Sequence, residues 1–462
     1  EEILVEAEAF QAYGGWVLDP QFLDVMGSPY LLAHGLGQAV RDAETTVDVK
    51  RAGRYRVWVR TMDWVPSHHP GRFQLLVNHQ PLAVTFGDEG RGWIWQDGGT
   101  LQLPSGPTKI ALHDLTGFDA RCDAVLLTSN VESMPPTEAN DSMARWRRSL
   151  LGIPDTPPSA GDFDVVVIGG GIPGCSAALA AARLGLHVAF IQNRPVLGGN
   201  ASPEIGITPR GELRSIVREV AGADRERVIR SEPLVTLFLG WHALRAAKQG
   251  NRITSVDAQD TRTGRELRFH APVYIDCSGV AAVGVLAGAE YRLGREARGE
   301  FGESLAPEQA DAMHHGNTVV FATEVAEQPV SFPDVPWARK VAGDYAELGG
   351  QVVGGRHNIG GLTHFWEYGQ WLDPFADAER IRDHLLCAVY GTFANVKAMY
   401  PEGAANLRLK WVGFVPAGGE SRRLIGDYIL TENDIRGQVP FDDAVATCSG
   451  HICLHYPCLL YT

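Results

Sequence analysis

The chain has 462 residues, 45% of them hydrophobic, and its 41 Lys and Arg against 55 Asp and Glu give a formal net charge of −14. That length suits two domains, or one large and one small, and the charge argues against nucleic acid or an anionic membrane surface as a partner. No run reaches the ~18 apolar residues of a membrane-crossing helix, and seven cysteines without regular spacing do not make a disulfide scaffold.

Residues 1–130 read as all-β. Residues 54–60 (RYRVWVR) alternate, with Tyr55, Val57 and Val59 on one face and Arg54, Arg56 and Arg60 on the other. Phe73–Val77 and residues 101–103, 109–112 and 124–127 are further short strands between Gly, Pro and Asn turns, a spacing that suggests a β-sandwich. On Val5-Glu6-Ala7-Glu8-Ala9-Phe10, Gly15-Trp16, the strand opened by Gly53 and Cys122-Asp123-Ala124-Val125-Leu126, this region resembles the jelly-roll carbohydrate-binding modules of families 6 and 35. The resemblance implies a structural calcium held by Glu6, Glu8 and Asp123. Carboxylate oxygens suit hard Ca²⁺; a solvated strand face is the other reading of the two glutamates. Trp16, Trp64, Trp93 and Trp95 are candidates for stacking on sugar rings, against core packing as the commoner use of Trp.

Residues 131–162 hold Pro135-Pro136, Pro154 and Pro157-Pro158 around a basic stretch, Arg145-Trp146-Arg147-Arg148. They read as a linker with one helical turn docked on a neighbour.

From residue 163 to the end the pattern is α/β. Val165–Ile168 is an apolar run of the kind buried on both faces of a parallel sheet. It runs into Gly169, Gly171 and Gly174, spaced G-x-G-x-x-G, then an Ala/Leu-rich helix and a second apolar strand at 188–191. In that setting the first glycine permits the turn, the second lets a pyrophosphate approach the backbone, and the third lets helix and strand pack closely. Backbone N–H groups at the helix start favour the pyrophosphate. Gln192 and Asn193 stand where an acidic residue usually binds the ribose, and either amide can hydrogen-bond a hydroxyl. Gly198-Gly199 follow. A buried-type strand at 273–275 ends in Asp276-Cys277-Ser278-Gly279, and Val235–Leu239, residues 252–258 and Glu266–His270 look like an antiparallel insertion turned at Thr263-Gly264.

The segments GGGIPG, NRPVLGGNAS, YIDCSG, YRLGREARGEFGESLAPE, THFWEYG, ESRRLIGDYILTENDI and LHYP occur in that order. Together they resemble the FAD-dependent oxidoreductase family found alongside glycan-degrading enzymes, over residues 163–457. The resemblance implies a Rossmann-like FAD-binding domain with a mixed substrate domain. It also implies FAD as cofactor, Gly169, Gly171, Gly174, Gly198 and Gly199 along its phosphates and ribose, and Asp276 and Gly279 on a second FAD motif. Flavoproteins of this type usually close with a glycine-containing strand–turn–helix against the isoalloxazine; the sequence given stops at Thr462 without one, so that segment is expected to be missing. Cys448, Cys453 and Cys458 with His451 and His455 read as a zinc site of unusual spacing or as an altered flavin-side loop.

Oxidising a sugar hydroxyl with FAD needs a base for the proton and a cation or helix N-terminus near the flavin's pyrimidine edge. His364 is the first candidate base, because an unperturbed histidine titrates near ~6.5, and Glu367 is the second; a hydrogen-bonded structural His364 is the other reading. Arg422 and Arg423, beside Glu420, suit a substrate carboxylate, the flavin or an internal ion-pair network. The helix introduced by Asp373-Pro374 carries Ile381, Leu385, Val389, Phe393 and Val396, which read as core. The leading function is hydride transfer from a carbohydrate or glycoside to flavin. A redox-neutral flavin-assisted lyase and a glycan-binding protein with an inactive flavin fold are the alternatives. The sugar, the electron acceptor and the oligomeric state stay open. A cytoplasmic and an exported location are both compatible with a chain that begins at Glu1.

Overall fold

A computed structural model of the chain describes residues 1–207, 209, 213, 215–338, 367–442, 444 and 452. The amino-terminal region is two antiparallel sheets. In the larger, Val17–Asp19, Tyr30–Ala33, Ala120–Thr128, Gly53–Asp63 and Gly92–Leu103 lie in that order, and Glu2–Glu6 also pairs with Ala120–Thr128. In the smaller, the order is Ala43–Val49, Gly106–Asp114, Phe73–Val77 and Gln80–Phe86. The alternation along residues 54–60 has a direct physical outcome. Tyr55, Val57 and Val59 are fully buried and meet Phe73, Leu75, Ile110 and Leu112 of the opposite sheet, because a strand's side chains alternate faces with period two. Trp16 sits in this core, and Trp64 and Trp95 are buried in neighbouring clusters. Stacking on a sugar is therefore corrected for those three, and Trp93 alone of the four is half-exposed.

The stretch expected to be a linker is more ordered than its prolines suggest. It carries an eleven-residue helix, Asp141–Leu151. Asn140 caps its amino end by accepting from the N–H groups of Ser142 and Met143, and Gly152 closes it in the left-handed conformation. Ser159–Asp162 then pairs in parallel with Glu266–His270.

Next comes a four-stranded parallel sheet in the order Val235–Leu239, Val188–Gln192, Val165–Ile168, Val273–Asp276. Val235–Leu239 is thus not part of the antiparallel insertion. It registers against the second apolar strand from Val188↔Val235 to Gln192↔Leu239. Gly240, at φ +73°, turns the chain immediately afterwards, and Trp241–Gln249 takes the antiparallel place beside Arg252–Asp260 and Glu266–His270. Val273–Asp276 is an edge strand with Val273 exposed, not a buried one.

Helix Ala378–Met399 follows a turn in which Asp373 accepts from the N–H groups of Phe375 and Ala376. Ile381, Leu385, Val389, Phe393 and Val396 are buried as their near-helical spacing requires, in a cluster that includes Trp64 and Phe118 of the sandwich. One apolar core therefore runs across the seam between the two regions. Among the described residues no helix is long and apolar enough to cross a membrane.

Candidate functional site

The glycine-rich turn lies at the carboxyl end of Val165–Ile168, where open parallel sheets bind ligands. Gly169 takes φ +103°, and a Cβ there would lie 2.3 Å from the Cys277 carbonyl oxygen. A Cβ on Gly174 would lie 1.8 Å from the Gly169 oxygen, so the third glycine is fixed by the closeness of helix and strand. Gly171 differs. It has φ −66° as N-cap of Ile172–Arg183, and an added Cβ would meet only Pro173 Cδ, at 3.6 Å. Nothing among the described residues demands glycine at that point. No side chain caps the helix either, so its leading N–H groups face outward. A bare backbone surface at a helix amino end is what a dinucleotide pyrophosphate fits.

A second glycine turn closes on the first. Gly198 N donates to Gly170 O at 2.7 Å, and a Cβ on Gly199 would come within 3.1 Å of Gly171 Cα. Beneath it lies Arg225, only 7% exposed. Its guanidinium donates to the carbonyls of Leu197, Ala201, Val220 and Ala221, and burial lowers its pKa. A Cβ on Gly198 would fall 1.9 Å from its Nη1, so this arginine and that glycine require one another. Gly279, at φ +78°, has no atom of the described residues within 4 Å of an added Cβ.

Three residues expected to touch the cofactor are engaged otherwise, or only partly free. Gln192 is buried; its Oε1 accepts from Gly170 N at 2.8 Å and its Nε2 donates to Val196 O at 3.0 Å. It braces the turn, and the ribose role is corrected. Asp276 is likewise corrected: its carboxylate accepts from Ser278 N and Oγ and from the N–H groups of Val283 and Gly284, so both oxygens are saturated. Asn193 is half-buried at the strand end. Cys175 and Cys277 flank the turn, and burial pushes Cys175 up to about 12 and Cys277 upward as well. Neither is a thiolate at neutral pH.

The catalytic candidates scatter. His364 lies outside the described residues, as do Cys448, Cys453, Cys458, His451 and His455. Glu367 is buried, with Oε1 3.9 Å from His315 Nε2. Arg422 lies over the Phe375 ring, 3.3 Å from its centroid, with its Nε unsatisfied in the structure and its pKa lowered by burial. Arg423 diverges from it: Nη2 donates to Gly294 O and Glu296 Oε1, each at 2.8 Å. Arg423 thus belongs to an internal ion-pair network, and its expected catalytic role is corrected.

His315 is the residue that sequence reasoning missed. Segment 315–318 bridges to Tyr368 through Asn317 and to Ala417 through Thr318, and Asn200 Nδ2 donates to Gly418 O at 3.0 Å. The second glycine turn therefore continues into this layer. His315 Nδ1 faces the Gly316 carbonyl at 2.6 Å, which makes Nδ1 the protonated nitrogen and turns Nε2 toward Glu367. A Cβ on Gly419 would fall 1.9 Å from the His315 ring, so the ring depends on that glycine. No local motif marks His314-His315-Gly316; strand bridges alone bring it to Glu367.

Glu6, Glu8 and Asp123 do converge, with ligand atoms within 4.8 Å of one another. Arg147 pairs with Glu6 and Asp123, and Arg60 with Asp123; with guanidinium groups on two of the three carboxylates the residues present do not fit a calcium ion, and that expectation is corrected.

A pyridine nucleotide transhydrogenase of Ectopseudomonas mendocina is 44% identical over 59 residues, 13% of this chain and 12% of that protein. A tRNA uridine 5-carboxymethylaminomethyl modification enzyme of Caldicellulosiruptor saccharolyticus is 48% identical over 63 residues, 13% of this chain and 10% of that protein. The chain thus spans about an eighth or less of the length of these curated relatives. A family 35 carbohydrate binding module from Clostridium thermocellum covers 28% of this chain and 98% of its own at 18% identity, with a TM-score of 0.24. The family described as FAD dependent oxidoreductase matches residues 164–230 and 219–458, which takes in both glycine turns and the layer behind them. The chain belongs to the FAD-dependent oxidoreductase family, and its cofactor is FAD.

Proposed function

We propose that the chain oxidises a carbohydrate or glycoside, with hydride leaving a hydroxyl-bearing carbon for the flavin and the hydroxyl proton leaving for a base on the chain. The observation that carries the redox half is the uncapped amino end of Ile172–Arg183, left bare by Gly171. The parallel strands around it follow the chain order third, second, first, fourth, the order of a Rossmann-like dinucleotide-binding sheet. Gly169, Gly171, Gly198 and Gly199 would lie along the FAD phosphates, Gly279 beside them, and Asn193 would meet a ribose hydroxyl. Bound FAD supplies a two-electron acceptor.

His315 Nε2 takes the hydroxyl proton, the Gly316 carbonyl that accepts from Nδ1 holds the ring, and the Glu367 carboxylate 3.9 Å from Nε2 favours the charged form. Arg422 would add positive charge to the site. The substrate class is supported by the sandwich's resemblance to carbohydrate-binding modules. A cleft of about 170 Å³ at the seam, lined by Phe22, Trp93 and Phe375 together with Arg60 and Glu379, adds to this, since aromatic and charged side chains together suit a sugar ring.

Anaerobic mixing with a panel of sugars tests the proposal through loss of the flavin's visible absorbance. His315→Ala is expected to slow that bleaching by about 10²-fold or more while flavin stays bound. A panel in which no sugar bleaches the flavin removes the carbohydrate assignment. Unchanged bleaching in His315→Ala removes His315.

A further inference from the structure

We propose that Arg147, delivered by helix Asp141–Leu151, is a built-in cation that takes the place of a divalent metal ion in the sandwich. The acidic cluster is unusually dry for three carboxylates: Glu6, Glu8 and Asp123 are 6%, 3% and 0% exposed. Their ligand atoms lie within 4.8 Å of one another. Like charges this close repel strongly at low dielectric: burial first, and the neighbouring carboxylates after it, push Glu6 up to about 7 and Glu8 well above the usual carboxylate range, and a cation among them relieves the charge that remains.

The structure supplies that cation from the chain. Arg147 Nη1 bonds Glu6 Oε2 at 3.2 Å and Asp123 Oδ1 at 3.3 Å, and it also reaches Ser28 Oγ; Nη2 bonds Asp123 Oδ2. Arg60 Nη1 adds a bond to Asp123 Oδ2 at 2.8 Å. Both Asp123 oxygens and one of Glu6 are thereby taken by guanidinium donors. A calcium ion, which gathers about six to eight oxygens, would find them facing positive charge.

The ligand that remains is informative. Glu8 Oε2 is buried without a hydrogen-bond partner, so the cluster retains an acceptor that the arginines do not satisfy. Removing Arg147 would leave three converging carboxylates and one cation.

The helix geometry explains why this arginine arrives here. Trp146 packs edge-on against Trp95, with centroids 6.1 Å apart, and Arg148 turns the other way to pair with Glu266 of the second region. Successive residues of one helix thus grip both regions. Substituting a side-chain cation for a free ion fastens this helix to the sandwich without dependence on calcium.

Thermal unfolding and calorimetric titration of the full chain with calcium chloride test the proposal, with magnesium chloride as control. The wild type is expected to take up no calcium and to melt at the same temperature with calcium or with chelator. Arg147→Ala is expected to melt roughly 3–5 °C lower, to recover most of that loss with calcium but not magnesium, and to bind one calcium per chain. Where the alanine variant folds only with calcium present, the proposal is equally supported. Arg147→Gln, which keeps more of the packing, is read in the same way. Calcium binding by the wild type overturns the proposal, and so does failure of both variants to gain calcium binding or rescue.

Discussion

At the scale of single residues, the glycines of the cradle separate into two kinds. Gly174 is required by the protein itself, since a Cβ there meets the Gly169 oxygen at 1.8 Å. Gly171 is required by nothing described in the protein. Gly171→Ala is therefore expected to leave the melting temperature of the flavin-free protein within about 2 °C, because a substitution without a clash costs little. Its affinity for FAD should fall by about tenfold or more, read by fluorescence titration. Gly174→Ala should lower both, because helix and strand must move apart. Arg225 gives a third case. It satisfies four carbonyls under the second glycine turn, so Arg225→Met leaves buried acceptors unpaired at about 1–3 kcal/mol each if none relaxes. Loss of flavin retention together with a lowered melting temperature is the expected result. Both spacing rules were visible in the sequence. The engagement of Gln192 and Asp276 was not, because an amide or carboxylate at a strand end reads the same whether it faces a ribose or its own turn.

At the scale of elements, the strands and the long helix followed their apolar periodicity, and connections were harder to read. The proline-rich stretch before residue 163 hid a capped helix, because Asn140 and Gly152 supply its ends and Trp146 and Arg147 supply its contacts. Across the seam, His34 Nδ1 bonds Asp119 Oδ1 at 2.5 Å, and its Nε2 bonds the Val412 carbonyl of strand Leu407–Val412 at 2.8 Å. Both partners are acceptors, so the ring bonds both only when doubly protonated. Burial opposes that charge, but Asp119 and the carbonyl outweigh it and hold His34 above its usual 6.5. A raised histidine pKa stabilises fully below the unfolded value and ceases to do so as pH rises through the folded one. The melting-temperature gap between wild type and His34→Leu should be widest below about pH 6.5 and narrow at higher pH. A gap that is flat or widens with pH would show that the ring is neutral in the folded chain.

At the scale of the whole molecule, the seam behaves as an interior. Arg121 of the sandwich is fully buried and bidentate on Asp383, at 2.5 and 3.0 Å, with Glu379 at 2.8 Å. Arg382 reaches back to Asp19 and to the Tyr30 hydroxyl, each at 2.9 Å. Breaking a buried pair from one side leaves an uncompensated charge, which costs about 3–5 kcal/mol. Arg121→Met is expected to lose stability of that order in denaturant unfolding. The wild type should unfold in one calorimetric transition because core and charges continue across the boundary. Two well-separated transitions would instead describe a sandwich that is merely tethered. The sandwich forms one wall of the seam cleft.

The sequence by itself determined the local periodicities, the glycine turn and the order of motifs, since those depend on neighbours a few positions apart: a strand's alternating faces, a helix's repeating stripe, a backbone bend that only glycine tolerates. The tertiary structure alone decided the partners of the polar groups. Whether Glu6, Glu8 and Asp123 meet a metal ion or Arg147, whether Arg423 meets a ligand or Glu296, and that His315 faces Glu367 all depend on chain segments brought together from far apart. A side chain's chemistry lists its possible partners, and only packing, by excluding water and placing one donor or acceptor within reach, selects among them.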